Sequence, residues 1–256
     1  MHRPISSLVF LLLFLVPPAF ADMDEARQAY AEGRWQDAAA HGQLVGDSDG
    51  YAFAAGALIA QLMVEFDHPN REALLEQAQR FADEAYRQDR HATEARLRMA
   101  AVIGYRGRFV GGWRAYLTRM PQRGRNLIES VIEENPSDAW ALGMLGAWNL
   151  EVARRGGDRG LRALDASVET GIGLYSQAIA LEPANPAPRY FLALGLIALG
   201  EHARYPTAYE QLNLALATAP RDAFETGILA EARLLSAVLQ DQPREAEAWA
   251  NDRMTR

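Results

Sequence analysis

The sequence predicts an all-α protein, a stack of about five helical hairpins behind a short leader. Three observations carry this. After residue 22 no run alternates polar with apolar residues, and β-branched residues are sparse. Alanine, leucine, arginine and glutamate dominate instead, all good helix formers. Four helix ends recur along the chain, each followed by a polar turn and a new apolar-periodic stretch.

The elements follow in order. "MHRPISS" is a basic start, "LVFLLLFLV" an apolar run too short to span a bilayer, and "PPAFA" sets small residues before a cut. Residues 1–21 are therefore expected to be a signal peptide cleaved after Ala21. The mature chain, 22–256, is expected to be one helical-repeat domain, exported, to the periplasm if the cell is Gram-negative, and not membrane-spanning. There is no cysteine, which excludes disulfides, thiolate metal sites, a Cys nucleophile and lipid attachment through an N-terminal Cys.

The first hairpin turn is "YAEGRWQDA", with Ala26, Gly33, Trp35 and Ala38 at its packing positions. The recurring helix ends are "ADEAYRQDRHA" (82–92), "IESVIEENPSDA" (128–139), "YSQAIALEPANP" (175–186) and "LNLALATAPRDA" (212–223). Pro136, Pro183 and Pro220 hold the turn in three of them, and Arg90 stands at that place in the first. Leu142, Leu145 and Gly146 precede Tyr175, Ala178 and Pro183. Leu192, Ala193, Leu196 and Gly200 precede Ala208, Leu212, Ala215 and Pro220. Met99, Ala100, Gly107 and Phe109 mark one more hairpin. Small residues let two helices approach, large ones fill the space beside them, and a glycine ends the first helix.

These residues resemble the tetratricopeptide repeat family, whose units of about 34 residues are helical hairpins stacked into a superhelix. Two units here are longer by about a dozen residues. The excess falls at Phe109–Met120 and at about Arg154–Ala166, opened by "RGGDRG", which reads as a helix-connecting turn. In the first, Phe109, Trp113, Tyr116, Leu117 and Met120 form one helical stripe, in register with Gly124, Leu127, Val131 and Ile132. A second helix lengthened at its start, with a kink near Pro121, is the expectation.

The charge pattern is uneven. Residues 104–126 carry six arginines and no acid, yet the chain is formally −7. Two like charges 10 Å apart in water repel by only ~0.4 kcal/mol. The cluster therefore needs no ligand to be tolerated. Two readings stand: internal pairing with acidic neighbours such as Glu76, Glu84, Glu129 and Glu134, or an anion-binding patch of Arg106, Arg108, Arg114, Arg119, Arg123 and Arg125. An acidic, exported chain is a poor candidate for nucleic-acid binding.

The resemblance implies a concave surface lined by Arg98, Tyr105, Trp140, Met144, Tyr190, Phe191, Phe224 and Ile228. That row is unusually apolar. Either long or N-terminal helices plug it, or it receives a guest whose anionic end Arg98 holds. The second outcome resembles periplasmic repeat proteins that accompany solute transporters. The expected function is a non-enzymatic envelope adaptor for a protein or peptide segment, the alternative a binder of an amphipathic or anionic small molecule. No catalytic residue, cofactor or metal is expected: His41, His68, His91 and His202 are isolated, and no nucleophile elbow or phosphate loop occurs.

Overall fold

The computed structural model describes residues 23–110 and 112–255. The expected leader, 1–21, lies outside them, as does the side chain of Trp113. The described residues form helices and turns, with no strand among them. In chain order the helices are α1 (Met23–Ala31), α2 (Trp35–Val45), α3 (Ser48–Val64), α4 (Arg71–Gln88), α5 (Thr93–Phe109), α6 (Gly112–Leu117) and α7 (Met120–Glu134). Then come α8 (Ala139–Leu164), α9 (Val168–Leu181), α10 (Pro186–Ala198), α11 (Tyr205–Leu216), α12 (Ala223–Asp241) and α13 (Pro243–Thr255).

Pro136, Pro183 and Pro220 each fall between two helices, where a missing N–H costs no helical bond. The turns that hold them end on a side-chain cap. Asp138 accepts from the Ala141 N–H at 2.8 Å, Asn185 from the Ala187 N–H at 3.0 Å and Asp222 from the Glu225 N–H at 2.8 Å. A cap of this kind contributes about 1 kcal/mol. Gly33 turns the first hairpin at φ 77°, in the left-handed region that glycine enters without steric cost.

Each helix packs on its sequence neighbour, and α5 reaches past α6 to α7. Next-but-one contacts join α3 to α5, α8 to α10 and α10 to α12. α10 is the most enclosed element: Tyr190, Leu192, Leu196 and Ile197 pack with Leu212, Ile228 and Leu235. A second cluster gathers around Leu58, Ile59 and Leu62 of α3. Between α8 and α9 the approach is so close that a methyl on Gly146 would stand 2.8 Å from Tyr175 Cδ2 and 3.0 Å from the Gly171 carbonyl oxygen.

The two ends of the chain also meet. α12 packs on α3 and α1, and α13 touches α5 as well as α10 and α12. Glycines make the room. A Cβ on Gly227 of α12 would lie 2.7 Å from Val64 Cβ of α3, and one on Gly33 would lie 3.0 Å from Ala223 Cβ.

One expectation is corrected. The stripe from Phe109 to Met120 is not one helix. α5 runs on to Phe109, α6 is a separate short helix, and Arg119 turns the chain at φ 54° before Pro121 opens α7. Phe109 and Leu117 are 59 % and 61 % exposed, whereas Gly124, Ile128 and Val131 of α7 are buried. The physical reason is that a helix extended N-terminally from α7 has no neighbour to cover it, so periodicity alone cannot hold it. The expected turn at "RGGDRG" is present: Gly157 (φ 51°, ψ −154°) leaves helical backbone, so α8 is two helical stretches joined there.

Candidate functional site

Two adjoining cavities lie where α1, α3, α5, α8, α12 and α13 converge. The larger, about 420 Å³, is walled by Met23 and Tyr30 of α1, Phe53, Gly56 and Met63 of α3, Arg98 of α5, Trp140 of α8 and Phe224 of α12. The smaller, about 140 Å³, is walled by Tyr105, Arg108, Met144, Tyr175, Phe191, Arg253 and Met254. Met63 and Trp140 border both.

Six of the residues expected on the concave face are therefore brought together. Arg98, Trp140 and Phe224 line the larger cavity, and Tyr105, Trp140, Met144 and Phe191 the smaller. Tyr190 and Ile228 line neither: both are 0 % exposed and belong to the core beneath. Tyr190 meets Phe191 edge-on at 5.2 Å, which props Phe191 toward the cavity.

Arg98 is the polar feature of the larger cavity. Gly56 leaves the space it crosses, since a Cβ there would stand 3.0 Å from Arg98 Nε. One Nη donates to Glu94 one turn earlier, and the side chain is 19 % exposed. Its Nε is buried with no hydrogen-bond partner among the described residues. A buried unpaired donor is costly, on the order of 1–3 kcal/mol. Tyr30 stands opposite, edge-on to Trp35 at 5.1 Å and Phe53 at 5.8 Å. Burial pushes its phenol well above the ordinary range, with Asp222 adding to the effect and Arg98 opposing it. The hydroxyl is therefore a neutral donor at any physiological pH.

The smaller cavity is narrowed by α13. The Arg253 guanidinium lies between the rings of Phe66 (4.6 Å) and Trp249 (4.5 Å) and pairs with Glu231 at 3.1 Å. Burial raises the Glu231 carboxyl, and the hydrogen bond from Arg253 partly offsets this. The Tyr190 hydroxyl is buried with no hydrogen-bond partner among the described residues, and burial, then the Glu231 charge, drive its ionisation far out of range.

The arginine segment divides. In the wider acid-free run, residues 95–128, Arg96 and Arg98 are turned inward. Arg125 bonds Glu129 at 2.7 Å and the Leu164 carbonyl at 2.9 Å, and lies over Trp148 at 5.2 Å. Arg108 stacks on Tyr105 at 4.1 Å. Arg106, Arg114, Arg119 and Arg123 are exposed, and no carboxylate among the described residues stands within 4 Å of them. The internal-pairing reading thus holds for part of the segment and the patch reading keeps the rest.

Sequence reasoning allowed for N-terminal helices at this face, where α1 stands, but missed the contribution of α3 and α13. Gly56, Ala57 and Ala60 in α3 were its one available signal, a run of small residues that opens a face of an otherwise apolar helix. α13 follows no proline turn of the recurring kind, and nothing in its composition announces Arg253 as a cavity wall. No three histidines or carboxylates are grouped to hold a metal ion, and no helix is long and apolar enough to cross a membrane, among the described residues. No protein-family model matches the chain, and no curated protein does.

Proposed function

We propose that the protein binds a small amphipathic molecule with an anionic head, held in the Arg98 cavity, and does no chemistry on it. One observation carries the reading. Arg98, 19 % exposed and with one Nη committed to Glu94, lines a cavity of about 420 Å³ whose walls are otherwise mostly apolar side chains. That size is usual for a small-molecule site, and a few polar groups in an apolar lining are how such sites orient a guest. Arg98 gives only one nitrogen to Glu94, so its fork retains donors for a carboxylate or phosphate oxygen. Arg27 at the rim adds a second cation, and Asp49 and Glu94 hold the opening close to neutral, which favours an amphiphile over a bare dianion.

The scaffold in this reading is an irregular tetratricopeptide-like stack of an exported chain. The recurring capped turns, the Gly146–Tyr175 approach and the next-but-one helix contacts support it. An adaptor for an extended peptide draws less support, because α1 and α13 reduce the concave face to two cavities.

Laurate is a suitable probe. Native mass spectrometry is expected to show one laurate per chain, and a thermal shift should accompany it. Arg98→Ala should weaken binding by about tenfold to a hundredfold, the worth of a hydrogen bond to a charged group. Absence of any retained guest, or an Arg98→Ala variant that binds laurate as tightly, would overturn the reading.

A further inference from the structure

The unpaired arginines do not stand alone. Arg155 of α8 donates to the carbonyls of Gly107 (2.5 Å) and Val110 (2.8 Å), which ties the kinked half of α8 to the end of α5. Arg125 of α7 holds the other end of that half through Leu164. The basic run of the sequence is thereby joined to a second, Arg154–Arg162. Residues 104–126 and 154–165 together contain ten arginines against two aspartates, in a chain whose total is −7. Six of the ten are exposed with no ion-pair partner among the described residues: Arg106, Arg114, Arg119, Arg123, Arg159 and Arg162. Between the first four, Phe109 and Leu117 stand more than half exposed, and Tyr116 is 42 % exposed. α6, which carries two of these three, has α7 as its chief packing neighbour.

We infer that this end of the molecule docks on an anionic phospholipid surface, with Phe109 and Leu117 entering the interface and the arginines meeting the phosphates. Charge complementarity sets the sign of the partner. A segment this basic on an acidic protein can be drawn only to an anionic surface, and the acidic remainder is repelled by it, so the molecule is also oriented. Apolar area sets the kind of partner. The exposed parts of Phe109, Tyr116 and Leu117 come to roughly 300 Å². A stable protein interface takes about 800 Å² on each side, with an apolar centre. An interface between headgroups and acyl chains asks for less: a few aromatic or aliphatic side chains flanked by cations. The proposal does not depend on what the Arg98 cavity holds.

The test is co-sedimentation of the full mature chain with two kinds of vesicle, phosphatidylcholine alone and phosphatidylcholine with phosphatidylglycerol. Binding is expected only to the mixed vesicles and should fall steeply as salt is raised toward about 0.5 M. Arg114→Glu with Arg123→Glu should lower the partition about tenfold or more, since each cation near such a surface counts. Phe109→Ser with Leu117→Ser should lower it while leaving the salt dependence intact. All four positions are exposed, and circular dichroism melts should match the unmodified chain. Equal binding to both vesicles, or none to the mixed ones at low salt, would overturn the inference. So would saturable binding to an acidic polypeptide without vesicle binding. The salt and lipid dependence of the unmodified chain decides the matter even if a variant misfolds.

Discussion

Arg96 is 4 % exposed, and its guanidinium reaches the Glu134 carboxylate, the Ser130 carbonyl and hydroxyl, and the His91 carbonyl. Arg114, eighteen positions on, touches none of these groups and lies in solvent. Composition could not separate the two. Both stand in the same acid-free run, and what distinguishes them is which acceptors the fold brings across from α7. Arg96→Ala should destabilise by about 2 kcal/mol, because acceptors arranged for a charged donor lose it; chemical denaturation checks this. The pH dependence has a definite sign. The hydrogen bond from Arg96 holds the Glu134 carboxyl below the ordinary range. Its contribution is therefore fully present above the ordinary carboxyl value of about 4.3 and is lost as pH falls through the depressed one. The stability gap between the unmodified chain and Glu134→Gln should be constant near neutrality and close on acidification. Glu84, drawn down to about 2 by Arg87 and then Gln88, follows the same course at lower pH. Glu231 runs the other way. Burial raises it, so its term is present at low pH and lost as pH rises through the raised value.

At the scale of helices, what was legible in the sequence was the capped turn and the close pair. Asn135–Asp138, Glu182–Asn185 and Pro220–Asp222 mark helix ends through local chemistry, and Gly146 opposite Tyr175 marks a seam through residue size. What was not legible was the outcome where two local signals compete. Around Pro121 the apolar period argued for continuation, but the missing neighbour left Phe109 and Leu117 uncovered. At Gly156–Gly157 the glycines argued for a stop, and the helical backbone does break at Gly157; what they could not show is that Arg155 and Arg125 hold the stretches on either side of it against α5 and α7. A pair of glycine substitutions tests the packing account. Gly146→Ala forces a methyl against Tyr175 and the Gly171 carbonyl and should cost about 1–3 kcal/mol. Gly173→Ala, on α9 but with nothing within 4 Å of the added carbon, should stabilise by about 0.5–1 kcal/mol, because it removes only backbone freedom. Thermal melts that rank the two alike would refute this.

At the scale of the molecule, the row of large residues from Arg98 to Phe224 was expected as one surface from the resemblance to helical repeats, and six of its members do line the two adjoining cavities. Its enclosure was one of two outcomes the sequence left open; the part α13 and the contacts of α12 with α3 and α1 play in it was not legible. Those contacts have a measurable effect. A linear array of hairpins unfolds unit by unit when its neighbours are weakly coupled, but here α12 rests on α3 and α1. Unfolding followed by far-ultraviolet dichroism and by tryptophan fluorescence should therefore coincide in one transition. Gly227→Leu, which drives a bulky side chain into Val64, should separate the two probes and lower stability by about 1–3 kcal/mol. The seating of α12 on α1 and α3 has one more consequence. An open array can gain or lose a unit by duplication and still fold, but a loop whose tail seats on its head tolerates one circumference. Inserting a further hairpin anywhere between Val64 and Gly227 would unseat that clasp, so a chain of this design is free to vary in its surface and not in its number of turns.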